Sequence, residues 1–134
     1  MSIEANKALV QEFFRRMQAG DPTLAELLAE DVSWWVPSSS ELGGTHRGKS
    51  AVLALMSKGV DLYQLPLKVT IEEMVAERDW VCVQLEVEAK TAAGRPYRND
   101  YHFAFRVRGG RIAAVREYLD TKYAAERLFP PESS

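Results

Sequence analysis

Leu9, Val10, Phe13, Phe14 and Met17 recur at helical spacing with Glu12, Arg15, Arg16 and Gln18 between them, which predicts an amphipathic helix with one buried stripe. Gly20 ends it. Asp21-Pro22 then offers an N-cap and a first-turn proline to a short second helix that buries Leu24, Leu27 and Leu28. Val32-Ser33-Trp34-Trp35-Val36-Pro37 is aromatic and β-branched, so it reads as a short strand stopped by its proline, with a loop over Ser38–Gly44 behind it. A third helix opens at Gly48-Lys49-Ser50, carries Val52, Leu53 and Met56 on one side and ends near Gly59.

From Leu67 onward the period is two. Leu67–Glu77, Trp80–Lys90, Tyr97–Val107 and Arg111–Leu119 alternate or are rich in β-branched and aromatic residues, and Arg78-Asp79, Ala93-Gly94 and Gly109-Gly110 separate them. This predicts an antiparallel meander. Asp120-Thr121 caps a last helix with Tyr123, Ala124, Ala125 and Leu128, before Pro130-Pro131 releases a polar tail. Three helices followed by hairpins give an α+β fold with helices on one face of a curved sheet, as a single domain over 1–129 and a tail over 130–134.

Composition narrows the functions. The 134 residues hold 17 Lys+Arg against 19 Asp+Glu, a net charge of −2 without a basic run, so no nucleic-acid partner is expected. A chain of this length buries roughly two-thirds of its unfolded surface, so folding requires neither a disulfide nor a structural metal. Cys82, the single cysteine, sits between Val81 and Val83 as a small buried filler, and His46 and His102 match no metal-ligand spacing. No cofactor and no metal are expected. The N-terminal stretch has no basic segment followed by an apolar one, and no run is long enough to span a bilayer, so the expectation is a cytoplasmic protein without a membrane partner.

Four strings in this order resemble the nuclear transport factor 2-like superfamily, in its SnoaL-like and ketosteroid-isomerase-like branch. They are Ala19-Gly20-Asp21, Leu28-Ala29-Glu30-Asp31-Val32, His46-Arg47-Gly48-Lys49-Ser50-Ala51-Val52, and Gly110-Arg111-Ile112 with Arg116-Glu117-Tyr118-Leu119-Asp120. The resemblance implies a cone-shaped, cystatin-like fold: a bent antiparallel sheet wrapped around the N-terminal helices, enclosing a deep apolar cavity, often in a dimer. Members include isomerases, polyketide cyclases, dehydratases, epoxide hydrolases and proteins that only bind, so the fold leaves the chemistry open. At the positions of the ketosteroid-isomerase tyrosine, aspartic acid and base stand Phe13, Phe103 and Val36. None of these can move a proton or stabilise a dienolate, which argues against that mechanism. A comparison with limonene epoxide hydrolase sets Gln84, Glu86 and Glu117 at polar positions of its site, and Trp34 and Val36 in place of its Tyr and Asn.

The candidate site follows. Glu117 shares a strand face with Val115 and Leu119, so it is either a rim carboxylate paired with an arginine or a cavity acid whose proton affinity burial has raised. For Glu86 two arguments conflict: alternation sends Val81, Val83, Leu85 and Val87 to the core, whereas the family register turns Gln84 and Glu86 inward. We adopt the family register, with Glu86 and Gln84 partnering Glu117. It leaves the valine row on the convex face for a homodimer to cover. Asn99, Tyr101, Phe103 and Phe105 share one face, with Asn99 and Tyr101 as polar handles for a ligand or as buried groups satisfying the backbone. One of Trp34 and Trp35 faces the cavity, and His46 lies in a Gly-rich loop at its mouth. The expected function is binding of a small apolar, oxygen-bearing molecule, with cofactor-free isomerisation, cyclisation or hydration on Glu117 and Glu86. The alternative is a module that binds without chemistry.

Overall fold

The computed structural model describes residues 2–130; the tail beyond Pro130 lies outside them. Helix α1 (Ile3–Ala19) begins where the Ser2 side chain accepts the Ala5 amide and ends at Gly20, whose φ of 65° suits a residue without Cβ. Asp21 caps the next segment, Pro22–Leu27, which winds as a 3₁₀ turn rather than an α-helix. Leu28 leaves it to begin β1 (Leu28–Val36). A four-residue strand, β2 (Gly44–Arg47), pairs antiparallel with β1 and places His46 opposite Trp34. It lies just past the Ser38–Gly44 loop, in a stretch too short and too glycine-rich to show an alternating pattern.

Helix α2 (Lys49–Val60) buries Val52 and Leu55. Strands β3 (Tyr63–Glu77), β4 (Trp80–Thr91), β5 (Pro96–Arg108) and β6 (Arg111–Leu119) then form the expected meander. Gly109 and Gly110, at φ 57° and 76°, make the two-residue turn between β5 and β6, where left-handed backbone matches the twist of the flanking strands. Helix α3 (Thr121–Leu128) is capped by the Asp120 side chain, which accepts the Tyr123 amide.

The six strands form one curved, open sheet in the order β2-β1-β6-β5-β4-β3, with β1 parallel to β6 and every other pair antiparallel. Register breaks within β3 and β6 act as bulges that strengthen the local bend. The concave face packs on α1: Phe13 lies 5.4 Å from Phe105 and Phe14 5.5 Å from Phe103, both edge to face.

The orientation of β4 corrects the register adopted from the family. Val81, Val83 and Leu85 are fully buried and Val87 nearly so, while Gln84 is exposed. Glu86 points outward, with its carboxylate 2.9 Å from the Arg98 guanidinium. A strand has one inward face, and burying four aliphatic side chains at roughly 1.5–3 kcal/mol each outweighs placing a Gln and a Glu in a dry interior. The convex face therefore lacks the valine row. Leu85→Ala is expected to cost about 2–5 kcal/mol in urea unfolding, and Gln84→Ala less than about 0.5 kcal/mol. Reversed magnitudes would restore the other register.

Candidate functional site

Between the concave sheet, α1, α2 and α3 lies a cavity of about 430 Å³. Phe13, Phe14 and Met17 of α1 line one side, and Trp34 and Val36 of β1, Phe103 of β5 and Leu119 of β6 line the sheet. Leu55 and Met56 of α2 and Ala124, Ala125 and Leu128 of α3 complete the apolar walls, and exposed Ser39, Glu41 and Lys122 sit at the rim. Most of the surface around the cavity is thus apolar.

Glu117 is the carboxylate on the inner wall. β6 turns it inward opposite Phe103, and its Oε1 accepts a 2.9 Å hydrogen bond from Trp34 Nε1, the indole of the parallel neighbour strand. Loss of hydration raises its pKa from 4.5 to about 7, and the Trp34 bond opposes that shift only in part. Among the described residues Oε2 has no protein partner, nor is it sealed from the cavity. One oxygen is thus held and the other left for chemistry near neutral pH.

A second polar group lies one diagonal step along the sheet. Tyr101 Oη lies 2.7 Å from Tyr97 Oη and 3.4 Å from Tyr63 Oη, and both Tyr63 and Tyr101 line the cavity. Burial raises the pKa of all three phenols, so they stay protonated. Asn99 is nearly sealed and does not line the cavity: its amide bonds to Tyr97 Oη, the Asp120 carbonyl and the Asp100 amide.

The structure therefore brings Glu117, Tyr101, Phe103, Phe13, Trp34, Val36 and Leu119 together on the cavity wall. Val115 is buried in the core beneath the wall, and Gln84 and Glu86 lie on the opposite face of the sheet. His46 bonds through Nε2 to the Leu42 carbonyl at 2.9 Å and borders a separate recess with Lys58. Tyr63 was missed because it precedes the start at Leu67 read from the alternation. Its own signal, an aromatic two residues before Leu65 and four before Leu67, is interrupted by Pro66. No group of three or more His, Cys, Asp or Glu residues is placed to hold a metal among the described residues, and no described helix is long and apolar enough to cross a membrane.

Residues 10–115 match the family model of the SnoaL-like domain. The chain belongs to that family. A nuclear transport factor 2-like protein from Burkholderia xenovorans LB400 is 32% identical over 96% of this chain and 98% of that one, with a TM-score of 0.79. At the level of fold alone, the SnoaL-like chain also resembles a provisionally assigned SnoaL-like polyketide cyclase from Jannaschia sp. CCS1, with 16% identity, 98% and 97% coverage and a TM-score of 0.84. A provisionally assigned isomerase from Bacillus subtilis gives 21% identity, 98% coverage of both chains and a TM-score of 0.85. No curated protein matches the sequence.

The raised pKa of Glu117 makes a stability prediction. Between pH 4.5 and about 7 the folded protein holds this proton more tightly than the unfolded chain does, so stability falls as pH rises through that window, by about 3 kcal/mol in all. Glu117→Gln keeps an acceptor for Trp34 but cannot ionise. Urea titrations should give matching pH dependence below pH 4.5 and a relative gain of about 3 kcal/mol for the variant by pH 8. A difference independent of pH would mean that Glu117 ionises as in water.

Proposed function

We propose that this SnoaL-like domain binds a small, neutral, largely apolar molecule bearing an oxygen, and that Glu117 moves a proton on it without a cofactor. The observation that carries this reading is a carboxyl group fixed by the Trp34 indole inside an aromatic-walled cavity, with its pKa at about 7. Such a group is divided between acid and base at neutral pH, so it can take a proton from carbon and return it elsewhere on the same ligand, as isomerisation or cyclisation requires. The volume fits a molecule of one to three fused rings, and the rings of Phe13, Trp34 and Phe103 supply flat contact surface.

Exchange of the α-protons of 2-tetralone in deuterated buffer, followed by proton NMR, tests the chemistry without requiring the physiological substrate. The wild type is expected to accelerate exchange, with a rate that climbs as pH passes through about 7 and the carboxylate forms. Glu117→Gln should lower that acceleration by about 10²-fold or more. Equal rates in the two proteins would dismiss Glu117 as the base.

One observation favours a second reading, binding without turnover. Glu86 lies on the outer face, so Glu117 has no second carboxylate on the inner wall among the described residues. A wild type that binds 2-tetralone yet leaves its exchange unaccelerated would select this reading.

For assembly, we infer a homodimer through the convex face, where Trp35 and Tyr118 pack at 4.9 Å and Val75 and Tyr118 are well exposed. A second copy covering these side chains would remove an apolar surface from water. Sedimentation velocity should give a dimer for the wild type and a smaller species for Tyr118→Glu combined with Val75→Glu. A monomeric wild type at tens of micromolar would end this inference.

A further inference from the structure

The tyrosine wall carries one proton more than its own contacts use. Three phenols bring three O–H protons, and the two hydroxyl contacts, Tyr97 to Tyr101 and Tyr63 to Tyr101, consume two. Whether the third is free depends on Asn99, which touches Tyr97 Oη at 2.9 Å. The backbone fixes the direction of this amide. The Asp100 N–H can only donate, so it faces Asn99 Oδ1 at 2.8 Å, and the Asp120 carbonyl can only accept, so it faces Nδ2 at 3.1 Å. Nδ2 is therefore also the atom that meets Tyr97, as a donor. Asn99 takes no proton from the chain, and one phenolic O–H is left over.

Burial decides which phenol can keep that O–H without loss. Tyr97 is 2% exposed and does not line the cavity; either oxygen can donate across its 2.7 Å contact with Tyr101, and only donation from Tyr97 spares a sealed O–H from going unused. The unused donor belongs to Tyr101 or Tyr63, both on the cavity wall. We propose that Tyr63 and Tyr101 form a subsite for the carbonyl oxygen of an uncharged ligand, and that Asn99 is the positioning residue that keeps its donor free. A carbonyl fits because it accepts without bringing a proton of its own. An anion fits poorly, because Glu117 lies one diagonal step away: Tyr101 pairs with Leu119 and Phe103 with Glu117 on the adjacent strand. A ketone seated on the tyrosines would thus extend its α-carbon toward the carboxylate. This inference rests on the cavity reading above and supplies its ligand class.

The test uses an isosteric pair, 2-acetylnaphthalene and 2-isopropenylnaphthalene, which exchange C=O for C=CH₂ at nearly constant shape. Affinities are measured by fluorescence at pH 9, with the carbonyl stretch of the bound ketone read by infrared difference spectroscopy. The wild type is expected to prefer the ketone by about tenfold and to shift its stretch to lower frequency. Tyr63→Phe alone leaves a donor on Tyr101 and should keep the preference. Tyr63→Phe with Tyr101→Phe should abolish both preference and shift, with the alkene bound as before. Asn99→Asp, ionised at that pH, accepts the Tyr97 proton and turns the chain around, so it too should abolish them; should it fail to fold, the double Phe variant decides. A ketone preference that survives in the double variant, or equal binding of the two probes to the wild type, overturns the subsite and leaves the cavity reading standing. Binding of neither probe removes both.

Discussion

One hydrogen bond sets the character of this protein: the indole N–H of Trp34 to the carboxyl of Glu117, made where water is scarce. A carboxylate in such a place is costly to ionise, and a single neutral donor offsets that cost only partly, which is why the pKa settles at about 7 rather than near its aqueous value. The same bond requires β1 to lie parallel to β6 at a register that puts Trp34 beside Val115. A slip of one residue would bring Trp35 inward and Trp34 out, and the acid would lose its only described protein donor.

Cavity and core are built from the same rings. Phe13 touches Phe14, Trp34 and Phe105, and Phe103 touches Phe14, Trp34 and Tyr101, so the side chains that fill the concave face also wall the hollow. The sheet bends and α3 closes on its open end, but the aromatic layer stops short of filling the volume between them. The polar groups sit at two places on this wall, an acid on β6 and a phenol cluster spanning β3 and β5, each oriented by a residue that itself makes no use of the hollow's mouth.

The elements were legible in the sequence because their periods are strong. The alternation of Tyr97, Asn99, Tyr101, Phe103 and Phe105 against Arg98, Asp100, His102 and Arg106 fixed the inward face of β5, and Gly109-Gly110 fixed a turn. Val115 and Leu119 at the same spacing left Glu117 either at the rim or in the cavity, and its neighbour Trp34 could not be paired with it across 83 residues. β4 failed in an instructive way: there its own valine row was the better guide, and the register of a distant relative misled, because local alternation is tied directly to burial whereas an ungapped likeness is not. β2 and Tyr63 were missed for want of a pattern, being a four-residue edge and a strand start masked by Pro66.

The parallel pairing of the first strand with the last has a temporal side. Trp34 and Glu117 are separated by 83 positions, so on a ribosome the wall that carries the acid has to wait until the chain through β6 has emerged. Until then α1 and β1 expose the very rings that will later wall the hollow. The nascent chain therefore carries its stickiest surface until that last strand docks.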